Sequence, residues 1–176
     1  MSIRTSEHRD WPEIIAIYNQ AVEAHGATAD LTPVSVDSRR EWFVEHADPR
    51  FPLYVDETAG QIRGWCSVSP YRPGRAALGK TVELSYYVHL DFRRRGVATG
   101  LLNHAIEGCC GCGFKNVFAI LLGVNQASVS LLDKLGFEQW GCLPGVAEID
   151  GKAIDHLYFG KKIVPRSAGL PGVSVS

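Results

Sequence analysis

The spacing of apolar residues switches between two periods along the chain, and the switches outline its elements. Ile3 opens a short apolar stretch that reads as an edge strand. Trp11, Ile14, Ile15, Tyr18 and Val22 recur at helical spacing, which predicts a helix over about residues 11–25. Asp10 as N-cap with Glu13 three residues on would form its capping box. Ser35 suits the cap of a second helix with Val36, Trp42 and Phe43 on its apolar face. Residues 51–55 and 62–68 read as strands joined by the turn Glu57-Thr58-Ala59-Gly60.

From Thr81 to Leu90 the chain alternates strictly. Val82, Leu84, Tyr86, Val88 and Leu90 face one way, and Glu83, Ser85, Tyr87 and His89 the other. At Gly96 the period becomes helical, with Val97, Leu101, Leu102, Ala105, Ile106 and Cys109 as a core-facing stripe. Gly111 and Gly113 end that helix. Val117–Leu122 is a continuous apolar run, expected of a strand buried on both faces. Asn125 or Ser128 starts a further helix with Val129, Leu132 and Leu135, which Gly136 stops. Residues 137–146 and 153–163 read as two last strands joined at Asp150-Gly151. The pattern predicts a single α/β (α+β mixed) domain over residues 1–163. Its central sheet is flanked by about four helices. Residues 164–176 carry no core pattern and are expected to be a disordered tail.

Composition narrows the partners more than the fold. Apolar residues are 45% and charged residues 21% of the 176, as in ordinary globular domains. The 18 basic and 19 acidic residues give a formal net charge of -1. That balance gives no reason to expect a nucleic acid or an anionic membrane as partner. No apolar run approaches the roughly 18 residues that span a bilayer. Met1-Ser2-Ile3-Arg4 lacks a signal-peptide core, so a cytoplasmic location is expected. Three of the five cysteines, Cys109, Cys110 and Cys112, crowd together. Reduced, packed thiols suit them better than a disulfide framework or a metal site. His89, His104 and His156 have no metal-ligand spacing.

The unit richest in chemistry is the turn Arg93-Arg94-Arg95-Gly96-Val97-Ala98-Thr99-Gly100, between alternating strand and helix. A helix N-terminus presents unpaired N–H groups and the positive end of its dipole. Small residues admit a ligand to the backbone, and arginines add charge-assisted bonds. The turn reads as an anion site, for a phosphate or pyrophosphate. A basic turn before a tightly packed helix would have the same residues. Neither G-x-x-x-x-G-K-[ST] nor G-x-G-x-x-G occurs in this turn, which disfavours nucleoside triphosphates and NAD.

Arg93-x-x-Gly96-x-Ala98 resembles the Q/R-x-x-G-x-G/A signature of the GNAT acetyltransferases. The stretches Ile17-Tyr18-Asn19-Gln20-Ala21-Val22, Thr32-Pro33-Val34-Ser35, Gly64-Trp65, Ser69-Pro70-Tyr71-Arg72, Thr81-Val82-Glu83, Asn125-Gln126-Ala127-Ser128 and Lys134-Leu135-Gly136-Phe137 are similar to its phosphinothricin and methionine sulfoximine N-acetyltransferase branch. The resemblance covers about residues 3–163. It implies a mixed, mostly antiparallel sheet, acetyl-CoA as co-substrate, no metal, and a homodimer. It further implies that the backbone of Tyr86, Tyr87 and Val88 pairs with the pantetheine arm. Arg94, Arg95, Gly96, Val97, Ala98 and Thr99 would cradle the pyrophosphate, and Asn125 would reach the pantetheine or thioester end. Glu83 would be the general base, since acetyl transfer needs a neutral amine.

The chain departs from that branch at three places. Leu132 stands where a His or Tyr is the candidate proton donor to the leaving thiolate. Ala153 and Gly79 replace a Trp and an Arg that would shape the acceptor pocket. Arg72, Arg75 and Lys80 are candidates for an acceptor's carboxylate or phosphinate, or plain loop cations. The expected activity is acetyl transfer to the primary amine of a small amino-acid-like acceptor in a ternary complex. The open alternatives are a CoA-binding domain without turnover and an acetyltransferase for another amine or a peptide N-terminus.

Overall fold

One seven-stranded sheet organises the chain in a computed structural model that describes residues 2–165. The elements run β1 (Ser2–Thr5), α1 (Trp11–Glu23), α2 (Arg40–Glu45), β2 (Leu53–Thr58), β3 (Gln61–Pro70), β4 (Thr81–Val88), α3 (Val97–Gly111), β5 (Asn116–Leu122), α4 (Gln126–Lys134), β6 (Glu138–Ile149) and β7 (Lys152–Lys162). Their order across the sheet is β1-β2-β3-β4-β5-β7-β6. Every pairing is antiparallel except β4 with β5. The mixed, mostly antiparallel sheet with four helices is the expected class. The tail expected to be disordered lies, beyond residue 165, outside the described residues.

The two faces of the sheet carry separate cores. Val82, Leu84, Val97, Leu101, Leu102, Ala105, Cys109 and Leu132 join α3 and α4 to one face. Ile14, Ile15, Ile17, Phe43, Val55 and Trp65 join α1 and α2 to the other. Trp65 Nε1 donates to the Ile14 carbonyl at 3.0 Å, which pins α1 to the sheet. β4 is therefore covered on both faces, because Tyr87 packs into the α1 side while Tyr86 and Val88 pack into the α3 side.

Both helices of the α3 face end in the same way. Phe114 N donates to Cys109 O and Gly113 N to Cys110 O, a Schellman closure of α3. Phe137 and Gly136 close α4 on Leu132 and Asp133 likewise. The hairpin joining β6 and β7 turns at Asp150 and Gly151, both at positive φ, as a two-residue loop demands.

Four expectations need correction. The capping pair sits one turn earlier: Glu7 N donates to Asp10 Oδ2 at 2.7 Å, and Arg4 draws the buried Asp10 into an ion pair. Glu13 instead accepts from Ile62 N at 3.0 Å, tying α1 to β3. Ser35 Oγ accepts from Ser38 N in a short 3-10 turn that precedes α2. In β5 only Val117, Ala119, Leu121 and Leu122 are buried, while Phe118 and Ile120 are half open. Of the clustered thiols only Cys109 is buried; Cys110 is half-buried and Cys112, the C-cap residue beyond the last turn of α3, is exposed.

Gly64 seats α3 on β3. A Cβ there would lie 2.8 Å from Tyr87 O and 3.0 Å from Val97 Cγ1. Gly64→Ala is expected to cost about 1–3 kcal/mol, because backbone and a packed helix must both move. Chemical denaturation checks this, and an unchanged midpoint would mean that the seat is loose.

Candidate active site

Several chemistry-bearing residues gather where the only parallel pair among the described residues comes apart. β4 and β5 are paired at Thr81–Asn116, Val82–Val117 and Glu83–Phe118, and no further. Beyond that row the strands diverge. The cleft between them is lined by Leu84, Ser85, Tyr86 and Tyr87 on one side and Ala119, Ile120 and Leu121 on the other. Asn125 and Ser128 at the start of α4 close its end.

Strand alternation fixes what β4 offers to that cleft. His89 N donates to Arg63 O of β3 at 2.9 Å. The odd residues of β4 thus turn their backbone to β3, and Leu84, Tyr86 and Val88 turn theirs to the gap. Tyr87 pairs across to Trp65 of β3. Its ring, not its backbone, serves the site, packing against Tyr18 and Trp65 with centroids 5.0 and 4.8 Å away.

The basic turn follows β4 and opens α3. Gly96 is the N-cap of α3 at φ 78, and Arg94 is also at positive φ. Gly100 N is the first in this turn to find a helical partner, Gly96 O. The N–H groups before it are the ones a helix leaves open. A Cβ on Gly96 would meet nothing within 4 Å, so the glycine answers to backbone conformation and faces open space. Among the described residues, no carboxylate pairs with Arg93, Arg94 or Arg95. The Arg95 guanidinium lies over Phe92 instead, at 5.5 Å. An unneutralised cluster at a helix N-terminus suits a diphosphate.

Glu83 stands at the base of the fork on the α1 face. Burial pushes its carboxyl above the ordinary carboxylate range. No hydrogen bond or ion pair to another described residue holds it. Phe118 lies beside it in the parallel register. The Phe118 ring stacks on Tyr71 at 4.8 Å and meets Trp140 edge-on at 5.1 Å. Trp140 in turn lies flat over Gly160 of β7, where a Cβ would come within 2.1 Å of the ring.

Next to Glu83 along the same face is a cavity of about 160 Å3. Ser67, Ser85, Trp65 and Tyr87 form its floor, and Tyr18, Arg39 and Trp42 its walls. Asp30 ties those walls together, accepting from Tyr18 Oη at 2.7 Å and from Arg39. His46 holds Trp42 O through Nδ1 at 2.7 Å, and its Nε2 lies 3.3 Å from Ser69 Oγ. Burial lowers the pKa of His46, which keeps it neutral.

The sequence-derived candidates divide accordingly. Tyr86, Tyr87 and Asn125 line the cleft, Glu83 sits in the last paired row at its base, and Arg94–Thr99 form the turn that opens α3. Asn125 Oδ1 caps α4 through Ser128 N at 3.2 Å. Arg72 lies over the Tyr71 ring at 5.5 Å, beside the aromatic wall. Arg75 is exposed. Lys80 continues the alternation to the α3 face, where its Nζ would be 3.6 Å from a Gly113 Cβ. Sequence reasoning missed Arg39, Trp42 and Ser67, which no short spacing links to Glu83.

The sign of the Glu83 shift gives a test. A carboxyl raised by burial costs nothing below its unfolded pKa and destabilises the fold above its folded one. Glu83→Gln is therefore expected to raise the melting temperature at pH 7–8 and to leave it unchanged near pH 4. Equal melting curves at both pH values would remove the burial argument.

Comparison with known proteins identifies the family. The model of the Acetyltransferase (GNAT) family matches residues 11–137. An L-methionine sulfoximine/L-methionine sulfone acetyltransferase of Pseudomonas aeruginosa is 36% identical over 95% of this chain and 98% of its own. The structure of a ribosomal-protein-alanine N-acetyltransferase from Brucella melitensis superposes with TM-score 0.87 at 32% identity, covering 93% of this chain and 100% of that one. A phosphinothricin acetyltransferase from Sinorhizobium meliloti, solved in complex with acetyl-CoA, has TM-score 0.87 at 26% identity, over 99% and 94%. The chain belongs to the GNAT acetyltransferase family and is an acetyl-CoA-dependent N-acetyltransferase.

Proposed function

We propose that this acetyltransferase acts on the primary amine of a small amino-acid-like acceptor of the phosphinothricin or methionine sulfoximine type, with Glu83 as general base. The observation that carries the reading is the fork. Glu83, free of partners and raised by burial, stands where β4 and β5 separate. Acetyl-CoA supplies an activated acyl group as its thioester. On this reading the pantetheine arm lies along β4 and meets the gap-facing backbone of Tyr86 and Val88. The Arg94–Thr99 turn receives the pyrophosphate, and Asn125 borders the thioester end. The amine comes from the α1 side, gives a proton to Glu83 and attacks directly in a ternary complex. Gap-facing N–H groups of β4 would stabilise the oxyanion. The half-enclosed cavity beside Glu83 and the Tyr71–Phe118–Trp140 wall favour a compact acceptor with an apolar stem. Arg72 is the cation best disposed toward its carboxylate.

The likeness to a ribosomal-protein-alanine N-acetyltransferase favours a second reading, in which the amine is a peptide N-terminus. A cytoplasmic location and a homodimer belong to the proposal as well. Five free cysteines suit a reducing compartment. Leu143 and Val146, exposed on the long edge strand β6, suit a second copy.

Thiol release over phosphinothricin, methionine sulfoximine and short peptides separates the readings. Turnover of the amino-acid-like compounds is expected, and turnover of peptides alone would overturn the first reading. Glu83→Gln is expected to lower kcat by about 10²–10⁴-fold with acetyl-CoA affinity retained. In the wild type, kcat/KM is expected to rise with pH through a group titrating above ordinary glutamates. That limb is expected to vanish in the variant.

The cradle is tested separately. Arg94→Gln and Arg95→Gln are each expected to raise KM for acetyl-CoA by about three- to tenfold. The penalty is expected to shrink as salt is added, because these charges are exposed. Unchanged KM in both variants would move the diphosphate elsewhere.

A further inference from the structure

Glu83 belongs to a row of polar side chains that runs across the sheet and on to the end of α2. Ser69 of β3 is its register partner, so the two side chains leave the α1 face directly opposite one another. Cβ atoms paired in this way lie about 4.5–5.5 Å apart. Both residues are only half-buried, so a ligand can reach them. Behind Ser69 stands His46, buried at the C-cap of α2 with its ring against Trp42 at 4.5 Å. Its partners fix where the hydrogens of the row lie. His46 Nδ1 is 2.7 Å from the Trp42 carbonyl oxygen, which can only accept, so Nδ1 carries the hydrogen. Burial lowers the pKa of His46 despite the Trp42 carbonyl and Glu45, and the ring stays neutral. Nε2 is then a bare acceptor, and Ser69 Oγ, 3.3 Å away, donates its one hydrogen to it. A serine hydroxyl opposite a carboxylate would otherwise donate to that carboxylate. Here it does not, and Glu83 keeps no hydrogen-bond partner among the described residues. The row therefore presents two acceptors side by side, a carboxylate and a hydroxyl oxygen whose hydrogen is already engaged.

We propose that Ser69 holds the acceptor's amine beside Glu83 by accepting one of its N–H hydrogens, and that His46 is the positioning residue that keeps the Ser69 hydroxyl turned away from the carboxylate. The inference rests on the proposed role of Glu83 as general base. The acceptor arrives as an ammonium ion, with three hydrogens and no lone pair. One proton passes to Glu83, and the nitrogen keeps two hydrogens and the lone pair that attacks the acyl carbon. With one of those hydrogens bonded to Ser69, the nitrogen cannot turn freely and its lone pair has a fixed bearing. A Ser69 hydroxyl aimed at Glu83 would do the reverse. It would stabilise the carboxylate, weaken the base and leave the amine unheld. The pair also selects the nucleophile. An alcohol has a single hydrogen to give and cannot serve both acceptors, whereas an ammonium ion can.

The hydrogen assignment is tested without any substrate. Nitrogen NMR of the free protein with isotope-labelled histidine is expected to show His46 as the Nδ1–H tautomer. The Nε2–H tautomer would overturn the proposal, because Ser69 would then be free to donate to Glu83. Thiol release is measured next, on whichever of methionine sulfoximine and the short peptides is turned over, since both offer a primary amine. Ser69→Ala is expected to lower kcat/KM for the acceptor about 5- to 30-fold, with KM for acetyl-CoA unchanged and the pH limb assigned to Glu83 retained. The amide of His46→Asn can still donate to the Trp42 carbonyl but offers Ser69 no ring nitrogen, and its loss is expected to be about threefold. The double variant is expected to be no worse than Ser69→Ala, because His46 acts only through Ser69. Losses that multiply would make His46 a packing residue and refute its part. A change below twofold in Ser69→Ala, with Glu83→Gln impaired, would overturn the proposal and leave the base standing. Glu83→Gln at the wild-type rate would remove the base, and this proposal with it. Acetyl-CoA affinity verifies that each variant is folded. Should Ser69→Ala not fold, Ser69→Cys replaces it, with the same loss expected because sulfur is a weak acceptor.

Discussion

Everything specific to this molecule follows from a parallel pairing that stops after three residues. Neighbouring strands usually satisfy one another's backbone along their common length. β4 and β5 do so only from Thr81 to Glu83 and from Asn116 to Phe118. The separation leaves backbone donors and acceptors open in a cleft walled by protein. Such groups are costly unless a ligand or water receives them. The fold tolerates the cleft because α3, packed on β3 and β4 through Gly64, Val97 and Leu101, holds β4 straight from the other side.

Two helix termini converge on the opened strands. The turn into α3 takes positive φ at Gly96, and it carries the open N–H groups of a helix start together with three adjacent arginines. The turn into α4 places Asn125 and Ser128 at the end of the cleft. On the proposed reading, an anionic head takes the α3 turn and an uncharged, stretched arm lies along the cleft. A net charge of -1 does not oppose that reading, because Arg93, Arg94 and Arg95 are adjacent and, among the described residues, in no ion pair with a carboxylate.

Local information carried much of this. The strand, basic turn and helix from Thr81 to Leu102 were legible because each is set by spacing within a dozen residues. The α4 cap at Asn125 and the Asp150-Gly151 turn were legible for the same reason. Failures came where distant segments decide. Asp10 suits a helix cap by position, but Arg4 claims its carboxylate across the turn. Lys80 was grouped with loop cations, although extending the alternation of β4 by one residue sends it to the α3 face. The cavity wall escaped notice entirely. Tyr18, Arg39, Trp42 and Ser67 come from four segments, joined through Asp30 and the sheet register. In the similar stretch Tyr18-Asn19-Gln20, Tyr18 lines the cavity while its neighbours are scaffolding: Asn19 clasps Val34 through two 2.9 Å bonds, and Gln20 accepts from Leu90 N at 3.0 Å.

Alternation along β4 also explains how one strand serves the site and the core together. Glu83 leaves it on the α1 face, while Val82 and Leu84 leave it on the opposite face and pack under α3. Burial pushes the Glu83 carboxyl up, which makes it a stronger base and, by the same sign, lowers stability at neutral pH. The fold carries that burden because two cores, one on each face, hold β4 in register. A sheet without α1 and α2 would leave Glu83 in water. Its carboxyl would then return to the ordinary range and be a weaker base.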